Sequence, residues 1–334
     1  ITVFSNISVK EETRDNVPRI DYTGGGCPHI LAEPQRTNEI TYSEDFSNAS
    51  WVTVSGSVTK SYNTTTSPSG LEDADSILAT SAGSIVWATY QPLTAYYTGT
   101  LYLKRKTGSG DIQFTASGTF STVDLSSGDW VRVEHTYSAT AGTKAIGIKI
   151  VDSGDEVYIW GAQLEVGSYA TSYIPTSGGK VTRNQDIFTR DGIGSLINST
   201  EGVLFVEMAT LISIVPLNNW LTITDGTNAN SVGIVFETTG TTVGRIEVGG
   251  VGQAYFSIAG DYSLNQKIAF KWKENDFAFW INGVEVGSDT SGIVFSANTL
   301  NSLQLTYGAG GNYTNGKVKQ LQVYDTALTD EQLL

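Results

Sequence analysis

The chain has 334 residues, a net charge of −14, 40% hydrophobic and only 16% charged residues, and one cysteine, Cys27. Because Lys104-Arg105-Lys106 is the only dense run among the 20 Lys and Arg, the composition argues against nucleic-acid binding. No apolar stretch reaches the roughly 18–20 residues of a membrane helix, and a single cysteine excludes an intrachain disulfide. The 36 glycines and many short apolar runs predict an all-β protein with two domains.

The first 38 residues predict an irregular lead segment rather than a domain. The run Gly24-Gly25-Gly26 is flanked by Pro18 and Pro28. Glycine permits unusual backbone angles, and proline removes a backbone donor from a strand ladder. We therefore expect residues 1–38 to lie extended against a neighbouring domain or subunit and to serve as an attachment segment.

Residues 39–176 predict the first β-sandwich. A turn at 45–48 leads into a strand at 51–54, and further strands are expected at 84–90, 98–104, 144–151 and 156–164. Between them, the run from Trp130 to Tyr137 alternates apolar and polar side chains. This period of two is typical of a half-buried antiparallel strand. Strands at such short intervals favour a sandwich or jelly roll over a βαβ fold.

Residues 177–200 are expected to form a linker, and residues 201–334 a second sandwich. Strands at 267–273 and 277–281 are followed by Asn282-Gly283, the typical sequence of a type I′ hairpin turn. A closing strand is expected at 316–324. The sequence Thr329-Asp330-Glu331-Gln332 predicts a capping box and one short terminal helix.

Catalytic patterns are absent from the sequence, so we expect a protein that is not an enzyme. The two histidines, His29 and His135, have no partners at metal-site spacing, and no G-x-S-x-G elbow occurs. Glycan cleavage by paired carboxylates is the enzymatic alternative. However, Glu237 and Glu247 stand alone on their strands and no Glu-x-Asp-x-x-Glu is present.

Binding of sugars is better supported, because aromatic faces stack on pyranose rings while polar groups hold the hydroxyls. Aromatic and polar residues beside predicted turns are the candidates. In the first module these are Trp51, Trp87, Tyr90, Tyr96 and Tyr97, and in the second Trp220, Asp225, Asn228, Asn312 and Tyr313. Trp160 and Trp272 lie inside dense strand patterns and are expected in the cores.

No cofactor is required by the sequence, although a structural Ca²⁺ is left open. The oxygen-rich candidates are Glu72, Asp73 and Asp75, and Asp225 with Asn228. Neither set has the spacing of an EF-hand loop. Solvated turns are therefore the default interpretation, and the metal-binding residues stay unassigned.

Four segments carry a resemblance to known proteins. Residues 18–51, PRIDYTGGGCPHILAEPQRTNEITYSEDFSNASW, and 157–176, VYIWGAQLEVGSYATSYIPT, resemble modular virion proteins of bacteriophages of Bacteroidetes hosts, in which the first leads into a jelly roll similar to carbohydrate-binding modules. KIAFKWKENDFAFWINGVEVG, residues 267–287, and the closing VKQLQVYDTALTDEQLL, residues 318–334, resemble laminin-G/concanavalin-like lectin sandwiches.

The resemblance implies a phage spike or fibre protein on the virion surface that attaches to host cell-surface polysaccharide. It also implies a homotrimer, with residues 1–38 contacting other virion proteins. Two alternatives remain open: a purely structural virion protein that binds no sugar, and, less favoured, a polysaccharide depolymerase.

Overall fold

The protein is described from a computed structural model that covers residues 19–22, 27–212, 215 and 217–334. The described chain is almost entirely antiparallel β-structure, which confirms the predicted all-β class. No helix in these residues is long and apolar enough to cross a bilayer.

The strands are numbered from the amino end. The first group is β1 (Arg19–Asp21), β2 (His29–Ala32), β3 (Arg36–Asn38), β4 (Val52–Ser55), β5 (Val58–Thr65), β6 (Ala74–Ala79), β7 (Ser84–Tyr90), β8 (Ala95–Thr107), β9 (Ile112–Thr115), β10 (Ser121–Val123), β11 (Val131–Ala139), β12 (Lys144–Ile150), β13 (Glu156–Val166) and β14 (Val181–Arg183).

The second group is β15 (Thr189–Asp191), β16 (Glu201–Thr210), β17 (Asn219–Thr224), β18 (Ser231–Phe236), β19 (Thr241–Val248), β20 (Val251–Ala259), β21 (Gln266–Lys273), β22 (Phe277–Ile281), β23 (Val284–Asp289), β24 (Ser302–Gln304) and β25 (Gly316–Tyr324). A 3₁₀ turn spans Gly194–Leu196, and the helix α1 spans Asp330–Leu333.

The chain divides into two compact units, one of which is inserted in the sequence of the other. Gln35–Gln185 form the inserted unit; Asp186–Leu334, with the described residues up to Pro34, form the flanking unit. The flanking unit is therefore discontinuous in sequence.

The inserted unit is a sandwich of two five-stranded sheets. One sheet has the order β10-β9-β12-β7-β4, and the other β11-β8-β13-β6-β5. Strand alternation drives the packing between them: Ile146, Ile148 and Ile150 of β12 face inward and meet Leu101 and Leu103 of β8 in one apolar core. A two-stranded ribbon, β14-β3, belongs to the same unit.

The flanking unit pairs a seven-stranded sheet, β1-β2-β25-β16-β21-β22-β23, with a six-stranded sheet, β15-β24-β17-β18-β19-β20. Its core contains Trp272, Phe270, Phe277 and Phe279, all fully buried. The hairpin turn is confirmed, since Asn282 and Gly283 have φ of +52° and +76°.

The predicted capping box is also confirmed. The side-chain oxygen of Gln332 accepts a hydrogen bond from the backbone N–H of Thr329 at 3.0 Å. Leu328 and Leu333 pack on a small apolar cluster that includes Trp280. The helix α1 therefore covers part of the outer face of the seven-stranded sheet.

Two predicted boundaries differ from the structure. In the segment 1–38, β1 and β2 extend the seven-stranded sheet, with Ile30 opposite Val318, because the edge of β25 offers unpaired backbone groups. Residues 1–18 and 23–26 of that segment lie outside the described residues. In the expected linker 177–200, β14 pairs with β3 and β15 with β24. The attachment role of residues 1–38 stays a prediction.

Candidate functional site

The outward face of the sheet β10-β9-β12-β7-β4 carries a pair of parallel aromatic rings. Val86 and Ala88 of β7 point into the core, so Trp87 between them points outward and is half-buried. The rings of Trp87 and Phe120 lie 6.4 Å apart between centroids, with their planes 9° apart. We call this surface the Trp87–Phe120 face.

A glycine makes room for this arrangement. Gly147 of β12 lies opposite both Trp87 of β7 and Thr115 of β9. A Cβ added at Gly147 would stand 2.6 Å from Cβ of Trp87 and 2.2 Å from the carbonyl oxygen of Val86. Glycine at this position therefore lets the indole reach over the neighbouring strand.

Polar side chains run beside the aromatic pair. Lys149 of β12 lies opposite Gln113 of β9, and Gln113 lies opposite Thr122 of β10. Lys149 and Gln113 are half-buried and Thr122 is exposed. The face thus combines two partly exposed aromatic rings with an ammonium, an amide and a hydroxyl.

Trp51, a predicted sugar contact, is in the core instead. Its side chain is 2% exposed, packs on Phe46 with 4.5 Å between ring centroids, and donates from Nε1 to the carbonyl of Tyr42 at 2.8 Å. The turn before β4 directs the indole inward, so its place beside a turn did not make it a surface residue.

Tyr90 and Tyr97 also point inward, contrary to the sequence-based expectation. The Tyr90 hydroxyl contacts the Tyr137 hydroxyl and the carbonyl of Ala116, and burial raises the pKa of Tyr90. Tyr97 is 5% exposed, and its hydroxyl accepts from the N–H of Leu93 at 3.1 Å. Tyr96, the adjacent residue on β8, is 58% exposed because alternation turns it outward.

Trp220 of the flanking unit is buried as well. It is 5% exposed and contacts Tyr307, with 4.0 Å between ring centroids, and the Arg245 guanidinium lies 5.2 Å from its ring. Arg245 in turn forms an ion pair with Glu247. The loop that carries Tyr307 folds onto the indole, so Trp220 supports the loop rather than a ligand.

The other second-module candidates lie in two neighbouring loops. Asp225 accepts from Thr227 and Asn230, and these hydrogen bonds outweigh partial burial and lower the pKa of Asp225. The side-chain oxygen of Asn228 accepts from the N–H of Ala309 at 2.9 Å and thereby joins the loops.

Asn312 is exposed with φ of +50°, and Tyr313 forms a backbone bridge with Trp220. The structure therefore brings these two residues and the loop of Asp225 and Asn228 to one region of the flanking unit. The hydrogen bonds of Asp225 and Asn228 hold the loops themselves.

One predicted calcium candidate, Asp75, holds the backbone of the inserted unit, and calcium binding stays a prediction. Both carboxylate oxygens of Asp75 accept backbone N–H groups, of Phe46 at 3.1 Å and of Asn63 at 3.0 Å, and burial raises the pKa of Asp75. The Lys60 ammonium donates to the carbonyls of Phe46 and Trp51. In the described part of the chain, no group of three or more His, Cys, Asp or Glu could hold a metal ion.

The catalytic candidates lie on separate elements, and the two carboxylates have partners of their own. His29 lies on β2 in the flanking unit and His135 on β11 in the inserted unit. Glu237 accepts a hydrogen bond from Thr241 at 2.8 Å, and Glu247 is paired with Arg245. That the protein is not an enzyme stays a prediction.

Sequence reasoning missed Phe120, Gly147 and Lys149, which complete the Trp87–Phe120 face. Phe120 had a usable signal, since it follows the turn at Gly118-Thr119. Gly147 and Lys149 had none, because their place beside Trp87 depends on a strand pairing across some sixty residues of chain.

Comparison with known proteins gives one family match. Residues 213–334 match the model described as the concanavalin A-like lectin/glucanases superfamily, which confirms the predicted resemblance of the C-terminal part. A search of the curated proteins found no match.

Several solved structures are similar in part. The CBM40 of Ruminococcus gnavus IT-sialidase bound to alpha2,3 sialyllactose has 14% identity and a TM-score of 0.36 over 44% of this chain and 96% of that chain. A SAP-like pentraxin from Limulus polyphemus has 16% identity and a TM-score of 0.34 over 41% of this chain and 69% of that chain. The NanB sialidase of Streptococcus pneumoniae has 15% identity and a TM-score of 0.36 over 44% of this chain and 26% of that chain.

Proposed function

We propose that this protein binds carbohydrate through the Trp87–Phe120 face, without catalysis. The observation that carries the proposal is the parallel pair of partly exposed rings, bordered by Lys149, Gln113 and Thr122. Flat rings contact the C–H-rich faces of sugars, and neighbouring polar side chains bond the hydroxyls.

The other tryptophans that were expected to bind sugar are less suited to this role. Trp51 is 2% exposed and Trp220 is 5% exposed, so neither offers a ring face to a ligand. The concanavalin A-like match of residues 213–334 supports carbohydrate binding in general but does not assign the residues.

The size of the effect follows from the area that a sugar covers. If a sugar covers about 60 Å² of apolar surface at each of the two aromatic rings, each ring contributes about 1.5 kcal/mol. This corresponds to roughly tenfold in Kd. Removing both rings should therefore weaken binding about a hundredfold.

The test is binding of the full chain to a library of immobilised bacterial polysaccharides and oligosaccharides. Trp87→Ala and Phe120→Ala should each weaken binding about tenfold. The matched control is Trp130→Ala, since Trp130 is also partly exposed but contacts Tyr158 of the other sheet. Binding that is unchanged in the double variant Trp87→Ala/Phe120→Ala refutes the proposed face.

For the biological setting, we infer attachment of a bacteriophage virion to host cell-surface polysaccharide. Support comes from the sequence resemblance of residues 18–51 and 157–176 alone. The same resemblance leads us to propose a homotrimer at the virion surface, with the amino-terminal segment contacting other virion proteins.

Three measurements separate this setting from its alternatives. Adsorption of the purified protein to host cells distinguishes attachment from a purely structural virion role. Release of new reducing ends from capsular polysaccharide would identify a depolymerase. Sedimentation equilibrium gives the subunit number, and a monomeric mass contradicts the trimer.

A further inference from the structure

A cleft of about 290 Å³ opens in the inserted unit between β10 and β11, which are edge strands of its two sheets. It is lined by Phe114, Ser121, Thr122, Val123, Val133, Glu134 and His135. This volume is at the lower end of small-molecule sites, so it suits one substituent or ring rather than a chain of sugars.

The floor of the cleft is apolar. Phe114 is 3% exposed and Val133 is 8% exposed, and both belong to the main core, with Val123 packed against it. A hydroxyl placed on this floor would lose its hydrogen bonds to water without replacement, which is unfavourable. A methyl group would instead gain contact.

One side chain supplies a hydrogen-bond donor at this site. His135 points inward from β11 opposite Gly99, and its Nδ1 accepts from the backbone N–H of Ala116 at 3.4 Å. Burial lowers the pKa of His135, so the ring is neutral at pH 7. Because Nδ1 accepts, the ring proton lies on Nε2, which is a donor.

The cleft adjoins the Trp87–Phe120 face. Phe120 directly precedes Ser121 at the start of β10, and Thr122 belongs both to the row of polar side chains on that face and to the lining of the cleft. A ligand lying along the face toward β10 can therefore place a side group over the strand and into the cleft.

We propose that this cleft receives an acetyl group of the sugar bound on the Trp87–Phe120 face; the assignment rests on the proposed carbohydrate function. The methyl group packs on Phe114, Val123 and Val133, and the carbonyl oxygen accepts from Nε2 of His135. Both an acetamido sugar and an O-acetylated sugar present this chemistry.

The experiment uses pairs of immobilised glycans that differ only in acetylation. One arm compares N-acetylated oligosaccharides with their N-deacetylated forms, and the other compares O-acetylated polysaccharides before and after mild alkaline hydrolysis, which leaves amides intact. The full chain should bind the acetylated member of at least one arm about tenfold more tightly, and that arm identifies the amide or the ester.

Two variants fill the cleft from different sides, in case one fails to fold. Val133→Phe and Ser121→Tyr should each reduce binding of the acetylated form to the level of the deacetylated form. His135→Phe removes the donor and should weaken the acetylated form about five- to tenfold. Ser127→Tyr, at an exposed turn outside the lining, is the control.

The outcomes separate the two proposals. Equal binding of both members of every pair, with loss of both in Trp87→Ala, overturns the acetyl assignment and leaves the carbohydrate function standing. An acetyl preference that survives in Val133→Phe and Ser121→Tyr also overturns the cleft. Lack of binding by the unaltered chain to every glycan overturns both proposals.

Discussion

Replacing Trp51 by alanine should destabilise the inserted unit rather than weaken sugar binding directly. The substitution removes a core indole that is 2% exposed, together with its hydrogen bond to Tyr42. Large-to-small changes of buried tryptophan cost about 3–5 kcal/mol, of which the hydrogen bond is about 1 kcal/mol. For a unit of this size, the unfolding midpoint should fall by roughly 10 °C.

Hydrogen exchange followed by mass spectrometry is the suitable assay, because it reports on each unit separately. Trp51→Ala should accelerate exchange in peptides of residues 35–185 and leave those of residues 201–334 unchanged. Trp51→Phe, which keeps the ring contact with Phe46, should cost only about 1–2 kcal/mol. Unchanged exchange in Trp51→Ala, combined with lost glycan binding, would refute the structural role and restore Trp51 as a sugar contact.

Two further predictions concern charged groups. Lys60→Met removes an ammonium that donates to the carbonyls of Phe46 at 3.0 Å and Trp51 at 2.7 Å. In denaturant titrations this change should lower the free energy of unfolding by about 2–3 kcal/mol. Lys60→Arg, which keeps the charge and donors, should lower it by less. The hydrogen bond from Lys319 lowers the pKa of Glu207. The ionised Glu207 carboxylate therefore stabilises the folded state fully above about pH 4.5, and this contribution is lost as the pH falls further. Glu207→Gln should flatten the loss of thermal stability between pH 5 and pH 3; an unchanged acid slope contradicts this.

Much of the fold was predictable from local patterns. The strands expected at 84–90, 277–281 and 316–324 coincide with β7, β22 and β25. Alternation of apolar and polar residues decides which face of a strand is buried, and this signal is local. Trp160 and Trp272, expected in the cores from dense strand patterns, are 4% and 0% exposed.

The candidate site was less predictable, because side-chain direction beside a turn depends on the register of distant strands. Trp51 and Trp87 were both expected beside turns, yet one packs on Phe46 in the core and the other, in the middle of β7, reaches over Gly147 to Phe120. A shift of one residue reverses the face of a strand residue. The same limit hid β2, whose pairing partner β25 follows almost three hundred residues later, and β1, which pairs with β2.

The two sequence phrases that resemble virion proteins, residues 18–51 and 157–176, contain side chains that stabilise the fold of the inserted unit. Asn38 bonds the backbone of Ala162 and Leu164 and thereby fixes the segment entering the inserted unit to β13. Gln163 and Glu165 of β13 hold the segment that follows it; Glu165 is fully buried and accepts both the N–H and the hydroxyl of Thr171, at 2.7 and 2.6 Å.

A buried carboxylate needs such donors, so these residues specify how the two ends of the inserted unit meet. The side chains of the Trp87–Phe120 face, by contrast, lie outside both phrases, between residues 87 and 149. Substitutions there can change the ligand while the hydrogen bonds of residues 38, 163 and 165 stay intact. Resemblance over these phrases is therefore evidence about the scaffold, and the ligand has to be established from the exposed face by binding experiments.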